Sequence, residues 1–220
     1  MIRRLVYAPP GPGYPLLSGT FGRRSCQHST CRPRPPLPDP ISSSSERRGY
    51  DVIGDVHGCA AELEELLRDL GYRMKDSSGA YEHPERQAIF VGDLVDRGPD
   101  QLGVLQTVKR MVDSGSAQIV MGNHEFNAIA YDTPHPDKSA QFLRPHSEKN
   151  NHQHEKFLEQ VTGAARAEYL EWFMSFPLWL DLGGIRVVHA CWHKPSMRVV
   201  EEALGSDRFT SRDQFVRATT

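Results

Sequence analysis

Residues 87–98 read Gln-Ala-Ile-Phe-Val-Gly-Asp-Leu-Val-Asp-Arg-Gly, and the reading of the whole chain turns on them. Gln87 to Val91 is a short apolar run ending at a glycine, the pattern of a strand buried on both faces. Gly92-Asp93-Leu94-Val95-Asp96-Arg97-Gly98 follows, polar and bracketed by glycines. Glycine permits a tight turn and close backbone approach to a ligand. A carboxylate fixed beside such a turn with no cation would be a costly arrangement.

The pattern repeats on either side. Tyr50 to Ile53 is a strand candidate that runs into Gly54-Asp55-Val56-His57-Gly58. Ala117 to Met121 runs into Gly122-Asn123-His124-Glu125, and Ile185 to Val188 runs into His189. Between the strands lie helical spacings. Cys59 to Leu70 carries Leu63, Leu66, Leu67 and Leu70 on one side, with Gly71 as a stop. From Pro99, Leu102, Leu105, Val108, Met111 and Val112 make an inner face that Gly115 ends. Strand, helix, strand, helix, strand predicts an α/β fold with a parallel sheet and crossover helices.

Residues 131–160 interrupt the alternation. They are polar and hold His135, His146, His152 and His154, which read as solvated loop residues; one short helix is expected near Glu155 to Val161. Ala164 to Phe176 is a helix with Tyr169, Trp172, Phe173 and Phe176 on its apolar side. Leu178 to Leu182, Gly183-Gly184 and Ile185 to Val188 form a β-hairpin signal.

Residues 1–48 differ from the rest. They hold nine of the 16 prolines, eight arginines, no lysine and two acids, a net charge of +6 that leaves −8 for residues 49–220 out of the total of −2. Such a stretch cannot bury enough apolar surface to offset its ordering entropy, so a disordered tail is expected over 1–48, with the structured domain over 49–220. An organellar transit peptide is the other reading, opposed by the prolines. No apolar run is long enough to span a bilayer. Cys26, Cys31, Cys59 and Cys191 are too few and scattered for a disulfide scaffold, so a reducing, cytoplasmic setting is expected. The net charge argues against bulk nucleic-acid binding, and the oligomeric state stays open.

In an open α/β sheet, ligands bind at the carboxyl ends of the strands. Four strand ends would therefore gather Asp, His and Asn side chains with one Arg, a set of oxygen and nitrogen donors suited to Mn, Fe or Zn. This series of blocks resembles the calcineurin-like metallophosphoesterase superfamily, near its phosphoprotein-phosphatase branch, which includes diadenosine tetraphosphatases and bacterial proteins of the PrpE type. The resemblance covers about residues 49 to 200 and implies a β-sandwich flanked by helices (αββα). It implies two divalent metals, manganese first, about 3.5 Å apart. Asp55 and His57 would hold one, Asn123 and His189 the other, and Asp93 would bridge them. A hydroxide shared by the metals would attack phosphorus, His124 would protonate the leaving oxygen, Asp96 would orient His124, and Arg97 would fork onto phosphate oxygens. Blander readings remain for several positions. Arg97 could pair with Asp96, Glu125 could tie a backbone turn, Cys59 and Cys191 could be buried fillers, and Trp192 could be pocket lining or rim packing.

The chain departs from the family pattern in two places. The family has a further metal-binding His in a downstream Gly-His block, and no histidine follows His193 here. The expectation is a C-terminally shortened copy with an incomplete second sheet and a weakly held second metal. His189-Ala190-Cys191-Trp192 also lacks the Gly-Gly typical of the protein Ser/Thr phosphatases, and is closer to the nucleotide-cleaving members. The implied activity is metal-dependent hydrolysis of a small phosphorylated substrate, either a phosphomonoester or a dinucleoside-polyphosphate anhydride. The alternatives are a degenerate module that binds phosphorylated ligands without turnover, or RNA end processing, although no P-loop is present.

Overall fold

A computed structural model describes residues 49–220 together with the backbone of residues 4–7. Strand β1 is Arg4–Tyr7 and β2 is Gly49–Ile53. Helix α1 (Ala60–Asp69) follows, then the short strands β3 (Arg73–Met74) and β4 (Tyr81–Glu82), then β5 (Arg86–Phe90). Next come α2 (Gln101–Asp113), β6 (Ala117–Ile119) and α3 (Asn123–Asp132). The remainder is α4 (Glu148–Gln160), α5 (Gly163–Met174), β7 (Trp179–Asp181), β8 (Arg186–Val188), α6 (Lys194–Leu204) and α7 (Arg212–Thr219).

The main sheet runs β1-β2-β5-β6, with β2, β5 and β6 parallel and β1 antiparallel on the edge. Ile53 lies opposite Phe90, and Phe90 opposite Ile119, so the parallel strands end in near register. Side chains alternate across a sheet. Ala88 and Phe90 therefore join the core under the helices, with Leu63, Leu67, Val104, Leu105 and Val108. Ile89 points to the other face and packs with Val120 and Val187 under the β7–β8 hairpin. That hairpin is the second layer of the expected sandwich, two-stranded among the described residues.

Arg4–Tyr7 correct part of the expected disorder. Leu5-Val6-Tyr7 is a β-favouring run, and it adds to the sheet beside β2. The other residues of the expected tail lie outside the described residues. The second helix starts later than Pro99, because the Asp100 side chain accepts the Gly103 N–H at 2.8 Å and caps it. The expected short helix near 155–161 is the last half of the longer α4, which Ser147 caps. No helix among the described residues is long and apolar enough to cross a membrane.

Candidate functional site

Two strand-end loops lock into each other. The His57 N–H donates to the Asp93 carbonyl (2.9 Å), Gly58 N–H to Leu94 (2.8 Å), and Gly98 N–H back to His57 (2.8 Å). The loop after β6 joins through Glu125, which is fully buried. Its Oε2 accepts the Asp93 N–H (2.8 Å) and the Gly122 N–H (3.1 Å), and its Oε1 accepts the Leu94 N–H (2.7 Å). Glu125 thus ties turns. Gly122 is required there, since a Cβ would overlap the Asp93 backbone nitrogen and carboxylate.

Asp93 sits at the centre. Its Oδ1 accepts the His124 N–H at 3.0 Å. Its Oδ2 accepts no hydrogen bond from the described residues; ring nitrogens surround it instead, Nε2 of His189 at 3.5 Å, of His57 at 3.8 Å and of His124 at 3.9 Å. The tautomers of two rings follow from their other contacts. His57 Nδ1 lies 2.8 Å from the Val95 carbonyl and His189 Nδ1 2.6 Å from the Val91 carbonyl. A carbonyl can only accept, so both Nδ1 atoms carry a proton, and in a neutral ring Nε2 is then the nitrogen that offers a lone pair inward. His189 Nε2 lies 3.0 Å from Asn123 Oδ1. A nitrogen and an oxygen donor so placed can share a cation. Atoms about 2.0–2.2 Å from a shared ion stand about 3–3.5 Å apart, which this geometry approaches. The donor set therefore fits divalent metal.

Ligand atoms gather in two groups that meet at Asp93: His57, Asp93 and His124, and Asp55, Asp93 and His189. Asp55 is exposed and gathers with His189; the expected pairing of Asp55 with His57 runs through Asp93. Burial, helped by the charges of His124 and Arg97, holds the His57 pKa below the ordinary value against the Val95 bond and Asp93, which favours the neutral ring a metal needs.

Beside this centre lies a second constellation. His124 Nδ1 is 2.5 Å from Asp96 Oδ2. Burial opposes protonation of His124, but the Asp96 hydrogen bond and the charges of Asp93, Asp96 and Glu125 outweigh it and raise its pKa. Burial would likewise raise Asp96, yet the hydrogen bonds and charges of His124 and His154 hold it below the usual carboxylate range. His154 corrects the expectation of a solvated loop residue: it is 4% exposed, and its Nδ1 lies 2.6 Å from Asp96 Oδ1. Arg97 is exposed and makes no hydrogen bond or ion pair among the described residues, so its guanidinium is free for an anion. Gln101 was not singled out by sequence. Its Oε1 accepts the Asp96 N–H at 2.8 Å and its amide donates to the Gly98 carbonyl at 2.9 Å. Cys191 is exposed, not a buried filler; Cys59 is half-buried, its thiol pKa pushed up by burial and Glu62. Trp192 lines a cavity of about 260 Å³ with Trp179 and Lys194.

Sheet and donor set define an α/β protein with a candidate divalent-metal site at the carboxyl ends of its strands. Residues 50–215 match the sequence model of the calcineurin-like phosphoesterase family, and the chain belongs to that family. The family implies a dinuclear divalent-metal site, for which the two groups meeting at Asp93 are the candidates. Curated relatives include the bis(5'-nucleosyl)-tetraphosphatase PrpE [asymmetrical] of Oceanobacillus iheyensis, 36% identical over 149 residues, 64% of this chain and 54% of that protein. The Halalkalibacterium halodurans protein of the same name is 53% identical over 76 residues, 34% of this chain and 30% of that protein. Among solved structures, the cold-active protein-tyrosine phosphatase of a psychrophilic Shewanella overlays at a TM-score of 0.46 and 21% identity, covering 70% of this chain and 46% of that one. The chain spans about half the length of the curated relatives it matches.

Proposed function

We propose that this chain carries the metal-binding core of a phosphohydrolase that cleaves the phosphoanhydride of a dinucleoside polyphosphate, in the asymmetrical sense of its relatives' names, and small phosphomonoesters more slowly. The observation that carries the reading is the inward gathering of oxygen and nitrogen donors from separate strand ends, Asp93 Oδ2, His57 Nε2, His189 Nε2 and Asn123 Oδ1, beside Asp55. In this reading Asp55 and His57 would hold one ion and Asn123 and His189 the other, with Asp93, beside which both Asp55 and His57 lie, available to both. When bound, divalent cations, manganese by preference, supply Lewis acidity: activation of water near neutral pH and neutralisation of phosphate charge.

The protein's own groups do the rest. Asp96 fixes the His124 ring with its proton on Nδ1, so Nε2 is the nitrogen turned toward the Asp93 carboxylate. A raised pKa lets that nitrogen carry a proton to the leaving oxygen. Arg97 grips non-bridging phosphate oxygens through its fork of N–H donors. We place the protein in a reducing, cytoplasmic setting, on the scattered spacing of its four cysteines.

The test is product analysis with diadenosine tetraphosphate and Mn(II). ATP plus AMP is the expected product pair, two ADP would change the cleavage position, and Asp93→Asn should abolish turnover. Binding of the dinucleotide with no metal-dependent turnover would replace this reading with that of a phosphate-ligand-binding module.

A further inference from the structure

Asp96 is held from both sides. Its Oδ2 takes the Nδ1 proton of His124 and its Oδ1 takes the Nδ1 proton of His154, at 2.5 and 2.6 Å. The two rings come from different elements, His124 from the first turn of α3 and His154 from the middle of α4, 58 residues beyond Asp96. His154 is itself fixed. Its ring stacks on Phe157 (centroids 4.8 Å apart, 28° between planes) and leans on Tyr131 at 5.3 Å.

The polar insertion docks on the same loop at a second place. Gln160, the last residue of α4, accepts the Gln101 N–H at 2.8 Å and donates to the Pro99 carbonyl at 2.9 Å. Gln101 in turn accepts the Asp96 N–H. Backbone and side chain of Asp96 are thus both restrained from α4. A carboxylate held by one partner can swing about its last torsion, which is broad and two-fold. With the second oxygen also bound, that swing breaks a hydrogen bond, and the His124 ring plane is set with it.

We propose that His154 is a positioning residue for the reaction, holding Asp96 so that His124 Nε2 stays aimed at the Asp93 side of the site, and that the insertion is thereby part of the active-site machinery. The inference rests on the proposed role of His124 as proton donor. Substitutions of groups that orient a catalytic or metal-binding imidazole commonly cost about tenfold to a hundredfold. A drop of that size in kcat is expected for His154→Phe, which keeps a ring between Tyr131 and Phe157. KM and bound-metal content should stay within about twofold, as for an interaction felt only in the chemical step. His154→Asn places an amide N–H where Nδ1 was and should restore most of the rate.

A second readout needs no turnover. In the proton NMR spectrum of ¹⁵N-histidine-labelled full chain, two downfield, exchange-protected Nδ1–H signals with a carboxylate partner are expected, from His124 and His154, besides those that His57 and His189 give to backbone carbonyls. His154→Phe should remove one and speed solvent exchange of the other, while His154→Asn should keep the His124 signal protected. An inactive wild type would sink the proposed function, and the NMR pair would still decide the positioning role. Wild-type kcat in folded His154→Phe, or a His124 signal indifferent to the loss of His154, would overturn the inference. If His154→Phe does not fold, the decision falls to His154→Asn: a protected His124 signal supports the inference and its loss refutes it.

Discussion

Replacing Glu125 by alanine strips the acceptor from three backbone N–H groups at once, those of Asp93, Leu94 and Gly122. The site is fully buried, so water has no ready route to them. A buried donor left without a partner costs about 1–3 kcal/mol. Three of them bound the loss at about 3–9 kcal/mol. Burial and the neighbouring Asp93 charge push the Glu125 carboxyl above the usual range against the N–H bonds that oppose the shift, so part of each bond's gain already offsets desolvation. That places the expected loss at the lower end, about 3–4 kcal/mol. Glutamine is the sharper probe. Its oxygen can still serve Asp93 and Gly122, but its NH₂ then faces the Leu94 N–H, at a cost of about 1–2 kcal/mol. In a domain of this size each kcal/mol lowers Tm by about 2–4 °C. Glu125→Gln should therefore melt about 2–8 °C below wild type and Glu125→Ala about 6–16 °C below, by circular dichroism in chelator so that bound cations do not mask the difference. An alanine variant melting within about 1 °C of wild type would refute the claim that Glu125 holds the turns.

Asp93→Asn should lose Mn(II) binding by calorimetry, yet unfold no earlier than wild type in chelator, because it removes a buried charge whose Oδ2 accepts no hydrogen bond from the described residues while its Oδ1 can still accept the His124 N–H. Phe215→Ala empties a fully buried position against Phe126 and Phe209, whose ring centroids lie 4.8 and 5.0 Å away. A loss of about 3–5 kcal/mol in urea unfolding is expected, and an unchanged midpoint would show that α7 is not part of the core. Arg97→Ala touches an exposed residue that makes no hydrogen bond or ion pair among the described residues, so stability should move by no more than about 0.5 kcal/mol. Its KM should rise about tenfold, the scale of one charge-assisted hydrogen bond.

The three parallel strands were legible because each is a compact apolar run ended by glycine, and α1 and α2 because their leucines and valines recur on one face. Three strand-end blocks drew attention for a related reason, since glycines beside carboxylates, an amide and imidazoles leave few other uses for the residues; the fourth, His189 between Val188 and Ala190, has no glycine. The insertion was not legible. Only His154 and Phe157 of α4 are buried, so its thirteen residues show almost no apolar stripe. His154 lies among Asn151, His152, Gln153 and Glu155, and its partner Asp96 is distant in sequence; the one available signal was its spacing of three from Phe157 and seven from Val161. Helix α3 was hidden because its first turn, Asn123-His124-Glu125, reads as chemistry before it reads as a helix. Helix α6 was missed because it buries only Leu204.

Strain explains why the site needs so many ties. His57, Asp93, Asp96 and Arg97 all have positive φ, at 45°, 55°, 73° and 67°. Each such residue costs about 1–3 kcal/mol and persists only where its surroundings over-determine it. Here the surroundings are the other turn. The loop of His57 takes its shape from the carbonyls of Asp93 and Leu94, and the loop of Asp93 closes back through Gly98 onto the His57 carbonyl. Neither loop would keep these dihedrals alone, and the sheet alone does not impose them, since both loops lie beyond the last paired residues Ile53 and Phe90. The candidate ligand atoms are therefore placed by mutual hydrogen bonding between two chain segments, with Glu125 and Gln101 as outside struts. A cation that draws Asp93 and His57 together strengthens the same loop contact that positions them. Metal affinity and local stability are in that case one quantity measured two ways, and a change that loosens either loop must lower both.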